Sequence, residues 1–196
     1  MIFGPPGCGK GTQSTRIAEK YGLMHISSGD LLRNEIERGT DLGNQVKQYV
    51  ERGLLVPDGI ILKKIYKNAI RFIHSAGIIF DGFPRTLIQA VMLDTFLQKK
   101  ELKLNLVIHM LVDRNELFKR LTGRAEDSGR KDDTDQIFGV RMRVYEKQTH
   151  CLKEYYSGQN KILQVNGMAP VEEVSAKIVR AIDHYREKNE VFSNVI

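Results

Sequence analysis

The chain has 196 residues, 41% hydrophobic and 28% charged, which suits one α/β core with small insertions and excludes two large domains. Thirty basic residues against 24 acidic ones give a formal charge of +6, pointing to nucleic acid, an anionic membrane surface or small polyanions. The arginines stand singly at motif positions and not in runs of five or more, so small phosphates are favoured.

Met1–Phe3 reads as a first strand, shorter than the usual five or six residues, so a longer native N-terminus is expected. Next comes Gly4-Pro5-Pro6-Gly7-Cys8-Gly9-Lys10-Gly11-Thr12, a Gly-x-x-x-x-Gly-Lys pattern between an apolar stub and a helix over 12–21. Such a loop turns its backbone N–H groups around an anion, the helix start adds its positive dipole end, and Lys10 adds a full charge. This is the P-loop arrangement for the phosphates of a nucleoside triphosphate. The hydroxyl that usually follows the lysine falls one place later, at Thr12, so the metal is expected to be held more through water.

Residues 23–26 form a brief apolar stretch, and Ser28 or Asp30 is a plausible cap for the helix that follows. Over 31–52 the chain is helical but heavily charged, with Gly39, Gly43 and Gly53, which suggests short helices packed on their own instead of in the core. Pro57 and Asp58 start a helix to about His74. Residues 78–82 are an apolar run ending in Asp81, and 87–99 an amphipathic helix. Residues 104–112 are a strand, 116–122 a helix, and 123–135 a polar loop or flap. A helix over 137–156, a strand over 161–165 and a helix over 170–187 close the chain. Alternating strands and helices predict a parallel sheet covered by helices, with functional loops at the carboxyl ends of the strands.

Asp81, ending a strand beside the P-loop, is a candidate to hold Mg²⁺ directly or through water. Arg85, in the loop Gly82-Phe83-Pro84-Arg85-Thr86, is placed to clamp a phosphate. Gln89 offers a donor and an acceptor to the edge of a base, although alone it would suit a solvated helix face. Arg120 and Arg124, four apart on a helix, and Arg130 and Arg141 flank the polar flap. Arginines brought in by a closing flap neutralise the charge of phosphoryl transfer, with Asp132 and Asp133 as their partners. No base stands out apart from Asp81, and an acceptor that is already an oxyanion needs none. Cys8 and Cys151 are far apart and form neither a disulfide framework nor a zinc site. No aromatic-basic platform for nucleic acid is present, and with no signal peptide or long apolar run a cytoplasmic enzyme away from membranes is expected.

These motifs, together with Ile26-Ser27-Ser28-Gly29-Asp30-Leu31-Leu32-Arg33 and with Arg141, Tyr145 and Thr149, resemble the nucleoside monophosphate kinases over essentially the whole chain. The likeness is strongest to the adenylate kinases of short-lid form. It implies the P-loop NTPase three-layer α/β fold, with a core of residues 1–26, 57–122 and 134–196, a helical AMP-binding flap over 27–56 and a short lid over 123–133. It also implies MgATP + AMP ⇌ 2 ADP in a monomer without zinc. ATP would meet Gly7, Cys8, Gly9, Lys10, Gly11, Thr12, Arg120, Arg124 and the backbone at Ala169. AMP would meet Ser28, Arg33, Leu54, Leu55, Val56, Gly82, Phe83, Pro84, Arg85, Gln89, Arg130 and Arg141, with Lys10 and the arginines catalytic. Ser28, which keeps a hydroxyl, and Gln89 favour AMP over the UMP/CMP kinases, the alternative within the family. Gly139 would soften the helix after the lid, at a cost of about 1 kcal/mol in propensity.

Overall fold

The alternation of short apolar runs with helical stretches produces a three-layer α/β fold in a computed structural model that describes residues 1–72, 74–128 and 134–188, with the backbone alone at 124–128 and 135. Five strands, β1 (Ile2–Phe3), β2 (Met24–Ser27), β3 (Ile78–Asp81), β4 (Val107–Leu111) and β5 (Ile162–Asn166), form a parallel sheet in the order β2-β3-β1-β4-β5. The register sets Ile2 opposite both Asp81 and Ile108, and Ser27 opposite Asp81. Chain direction across the sheet reverses around β1, so the loops after β1 and β3 open at the switch point where ligands of such sheets bind.

Both faces of the sheet are covered, which is why its strands are mostly apolar. On one face Phe3, Phe80 and Val107 pack against α4 (Asp58–Ile70), α5 (Leu87–Gln98) and α8 (Leu152–Ser157) through Ile65, Leu93 and Leu152. On the other face Ile2, Ile108 and Val165 pack against α1 (Lys10–Tyr21), α6 (Arg114–Ser128) and α9 (Val171–Lys188) through Ile17, Leu117 and Ile178.

Four local expectations change. The helix after β2, α2 (Ser28–Glu37), is capped by Ser27, whose hydroxyl accepts from the Asp30 N–H at 3.3 Å, so neither Ser28 nor Asp30 is the cap. The charged segment that follows is not set apart from the core. Leu32 of α2 and Val46 of α3 (Asp41–Glu51) are buried in the same cluster as Phe80 and Leu93, because one apolar stripe per helix suffices to dock it. Helix α5 is not amphipathic. Ala90 and Leu93 turn inward, yet Leu87, Ile88, Val91 and Met92 are exposed. The polar stretch from 123 is helical through Ser128, as a continuation of α6. After α7 (Asp135–Val144), one π-helical turn over Tyr145–Thr149 precedes α8.

Candidate active site

The glycine loop wraps the start of α1 at the carboxyl end of β1. Gly7 has φ +85, and a Cβ there would sit 2.8 Å from the Leu117 carbonyl oxygen, so only glycine lets the loop lie this close to α6. Cys8 is fully buried in the core cluster with Ile2 and Met110. Its side chain therefore turns away from the cleft, and only its backbone can face a phosphate. The Lys10 ammonium donates to the Pro5 carbonyl at 3.3 Å. Burial holds Lys10 below the ordinary lysine range, and the Arg85 and Arg141 guanidinium groups add to that against the opposing pull of Asp81.

One cleft of about 870 Å³ joins Lys10, Gly11 and Thr12 to Arg33, Asp81, Arg85 and Arg141. Asp81 is almost wholly buried at the end of β3, with its Oδ2 3.4 Å from His25 Nε2. A Cβ at Gly11 would lie 3.6 Å from that same oxygen, so the carboxylate stands directly beside the P-loop helix. Arg120 reaches in from α6. Its Nε donates to Glu116 at 2.7 Å, and its Nη1 lies 4.0 Å from where a Cβ of Gly9 would be.

Next to this cleft is a second hollow of about 600 Å³, bounded by Ser28, Arg33, Leu54–Val56, Gly82, Arg85, Gln89 and Arg141. Ser28 is buried and donates to the Gly82 carbonyl at 2.6 Å, tying the start of α2 to the loop after β3. The Phe83–Pro84 peptide is cis, and Phe83 is fully buried, so it supports the loop from behind. The Arg85 Nε donates to the Gly82 carbonyl at 2.7 Å, and the Thr149 hydroxyl donates to the Arg85 carbonyl at 2.8 Å. Arg33 pairs with Asp30 one turn away.

Gln89 is not on a solvated face but borders the second hollow, with both ends of its amide engaged. It is 2% exposed. Its Oε1 accepts from the Arg85 N–H at 2.7 Å and its Nε2 donates to Asp58 at 2.7 Å, so the amide locks the Arg85 loop onto α4. Arg141 borders both hollows from α7. It can do so because Gly53 passes under it: a Cβ at Gly53, where φ is +70, would come within 2.8 Å of Arg141 Cγ and 2.9 Å of Ile137 Cγ2.

Ala169 lies apart from these hollows, half-buried in the loop after β5. Buried Gln13 donates to the Val171 carbonyl at 3.1 Å and so ties the start of α9, just after that loop, to the P-loop helix. Arg124 falls in the part of α6 described by backbone alone, and Arg130, with Asp132 and Asp133, lies outside the described residues. Sequence reasoning passed over His25, Gln13, Asp58 and Gly53. Nothing local in the sequence marks these roles, since each depends on a partner from a distant segment.

Among the described residues no group of three or more histidine, cysteine or acidic side chains could hold a metal. Of the two carboxylates that border the cleft among the described residues, Asp30 pairs with Arg33, and Asp81, an oxygen donor beside the phosphate loop, fits a cation that keeps its waters and is otherwise held by substrate phosphates.

The two hollows share Arg33, Arg85 and Arg141, and Lys10 borders the one at the P-loop. A family profile described as adenylate kinase matches residues 2–161. A protein named adenylate kinase from Bacteroides fragilis is 44% identical over 93% of this chain and 97% of its own length. One from Phenylobacterium zucineum is 42% identical over 93% and 96%, and one from Methylorubrum populi 39% identical over 96% and 97%. With the P-loop sheet, the paired hollows and these matches together, the chain belongs to the adenylate kinase family.

Proposed function

We propose that the chain transfers the terminal phosphoryl group of ATP to AMP, reversibly, giving two ADP. The observation that carries this is the junction of the two hollows, where Lys10, Arg85 and Arg141 face one space between the P-loop and the Ser28–Gln89 pocket. Two nucleotides bound there meet phosphate to phosphate.

An AMP phosphate oxygen attacks the terminal phosphorus, the new P–O bond forms as the bond to the bridging oxygen breaks, and ADP leaves with the electron pair. The attacking oxygen is already ionised near neutral pH, so no side chain has to take a proton from it. Charge spreading over the transferred group is met by Lys10 and the arginines. Burial, with Arg85 and Arg141, disfavours the charge on Lys10, and phosphate oxygens beside the ammonium favour its protonated form. Asp81 and Thr12 would hold Mg²⁺ through its waters, and the ion would supply neutralisation of the phosphate charge. By family resemblance Arg120 and Arg124 attend the ATP phosphates, Arg130 and Arg141 the AMP, and the Ala169 backbone the ATP base. Flap 27–56 and lid 123–133 would close over the nucleotides and keep water from the phosphoryl group.

The protein acts as a cytoplasmic monomer in this reading, without zinc, nucleic acid or membrane. Among the described residues no helix is long and apolar enough to cross a membrane.

The test is a coupled assay of ADP formation from MgATP with AMP, UMP, CMP or GMP as acceptor. A strong rate with AMP alone, reduced at least about 100-fold in Arg85→Ala, a loss of about 2.7 kcal/mol of transition-state stabilisation, is the expected result. Preference for UMP or CMP would refute the AMP assignment, and no transfer to any monophosphate would refute the activity.

A further inference from the structure

The backbone of Arg85 is held on both sides. Its N–H donates to Gln89 Oε1 at 2.7 Å, and its carbonyl accepts from the Thr149 hydroxyl at 2.8 Å. Gln89 belongs to the same stretch of chain as Arg85. Thr149 is 64 residues away, buried at the end of the π-helical turn that continues α7. Arg141, which also borders both hollows, stands on α7 just before that turn, and the Tyr145 N–H donates to the Arg141 carbonyl. A further hollow of about 480 Å³ is bordered by Lys10, Arg85 and Arg141 together with Tyr145 and Thr149.

We propose that Thr149 is a positioning residue for phosphoryl transfer: through the Arg85 carbonyl it fixes Arg85 to the helix that bears Arg141, so that the two guanidinium groups meet the phosphates in one fixed arrangement. The inference rests on the transfer reaction proposed above.

The turn that carries Thr149 is itself pinned. The Tyr145 hydroxyl is hydrogen-bonded to His109 Nε2 at 3.0 Å, and the His109 ring stacks on Phe3 with centroids 4.4 Å apart. Phe3 is the last residue of β1 before the P-loop, so a chain of contacts runs from the phosphate loop through β4 and the turn to Arg85. The turn is also irregular in a telling way. The His150 N–H reaches back to the Tyr145 carbonyl at 2.9 Å, and single π-helical turns of this kind occur frequently at functional sites.

Finally, the tie is uncharged. Lys10 feels both guanidinium groups, and cations gathered in this way repel one another. Their backbones need an anchor that does not neutralise them in place of phosphate. A threonine hydroxyl on a carbonyl meets that requirement. The Tyr145–His109 pair behind it is neutral too, since burial pushes the phenol up and the imidazole down to about 4.

The experiment compares Thr149→Val, which keeps the shape and removes the hydroxyl, with Thr149→Ser, which keeps the hydroxyl. Thr149→Val is expected to lower kcat for ADP formation from MgATP and AMP at least about tenfold, with KM for ATP within about twofold, because displacing a group that acts in the transition state costs rate more than substrate binding. Thr149→Ser should keep kcat within about threefold of the unaltered chain, since the hydrogen bond is retained. In an Arg85→Ala background the Thr149→Val loss should shrink to less than about threefold, because the hydroxyl acts through Arg85. One readout needs no substrate. The Arg85 Nε–H donates to the Gly82 carbonyl at 2.7 Å, and its exchange with solvent, followed by ¹⁵N NMR, should be at least about threefold faster in Thr149→Val.

Unchanged kcat in Thr149→Val would overturn the proposal, including the case in which only Tm falls and the role is structural. An equal loss in Thr149→Ser or in the Arg85→Ala background would overturn it as well. If the unaltered chain transfers no phosphoryl group, the reaction reading fails; faster Arg85 exchange then still supports the positioning role, and unchanged exchange overturns it. Should Thr149→Val not fold, Tyr145→Phe, which releases the turn from His109, is expected to lower kcat at least about threefold with KM for ATP unchanged, and kcat equal to that of the unaltered chain would overturn the proposal.

Discussion

Replacing Gln89 with leucine separates two roles that the same residue could play. In the structure both ends of its amide are occupied, by the Arg85 N–H and by Asp58, each at 2.7 Å, and the side chain is 2% exposed. Leucine fills nearly the same volume but leaves the Arg85 N–H without an acceptor, at about 1–3 kcal/mol, and removes a bond to a carboxylate worth about 1.5–3 kcal/mol. Asp58 keeps the Thr86 hydroxyl at 3.3 Å, and the leucine gains some apolar burial, so the net loss comes to about 3 kcal/mol. For a domain of this size that lowers Tm by roughly 6–12 °C. Thermal unfolding followed by circular dichroism, without nucleotide, measures it directly. Steady-state kinetics on the same sample should show kcat reduced, because the loop bearing Arg85 has lost its tie to α4. Unchanged Tm with only a raised KM for AMP would refute the reasoning and make Gln89 a reader of the base.

Gly53→Ala forces a side chain into left-handed backbone, at about 1–2 kcal/mol, and its Cβ within 2.8 Å of Arg141 Cγ. A fall of a few degrees in Tm and at least about a tenfold loss in kcat/KM are expected, and wild-type kinetics would show that Arg141 does not depend on that approach. His109 provides a pH test. Burial is the main cause that pushes its imidazole down to about 4, so the folded protein holds it neutral while the unfolded chain protonates it below about 6.5. Its contribution to stability is complete above that value and is lost as pH falls from 6.5 towards 4, about 3 kcal/mol in all. Unfolding free energies measured by urea between pH 4 and 7 should fall less steeply in His109→Gln than in the unaltered chain; parallel curves would refute the assignment.

The phosphate loop was legible in the sequence because its chemistry is local. Gly7, Gly9 and Lys10 are neighbours along the chain, and the anion meets consecutive backbone groups. Alternating apolar runs likewise revealed a parallel sheet, since period and run length follow from which faces are buried. Residues whose role lies in a junction between distant segments were not legible in this way. Gln89 looks like any polar residue on a helix until Asp58 and the Arg85 loop close on it. Val46 sits in a charged segment yet belongs to the core, because a single stripe decides docking while composition averages over all faces.

The ends of α6 and α2 tell the same story at smaller scale. Polar residues after 122 suggested a loop, but polar composition alone does not end a helix, and α6 runs on to Ser128. The cap of α2 fell to Ser27 and not to its neighbours because the end of β2, paired to β3 with Ser27 opposite Asp81, sets where the chain turns. Thus the sequence by itself determined the loop chemistry, the layer order and the basic groups available for phosphate. Which of those groups meet in one cleft, with Arg141 carried across Gly53 to Lys10 and Arg85, was decided only by packing, since contact between residues far apart in the chain has no local signature.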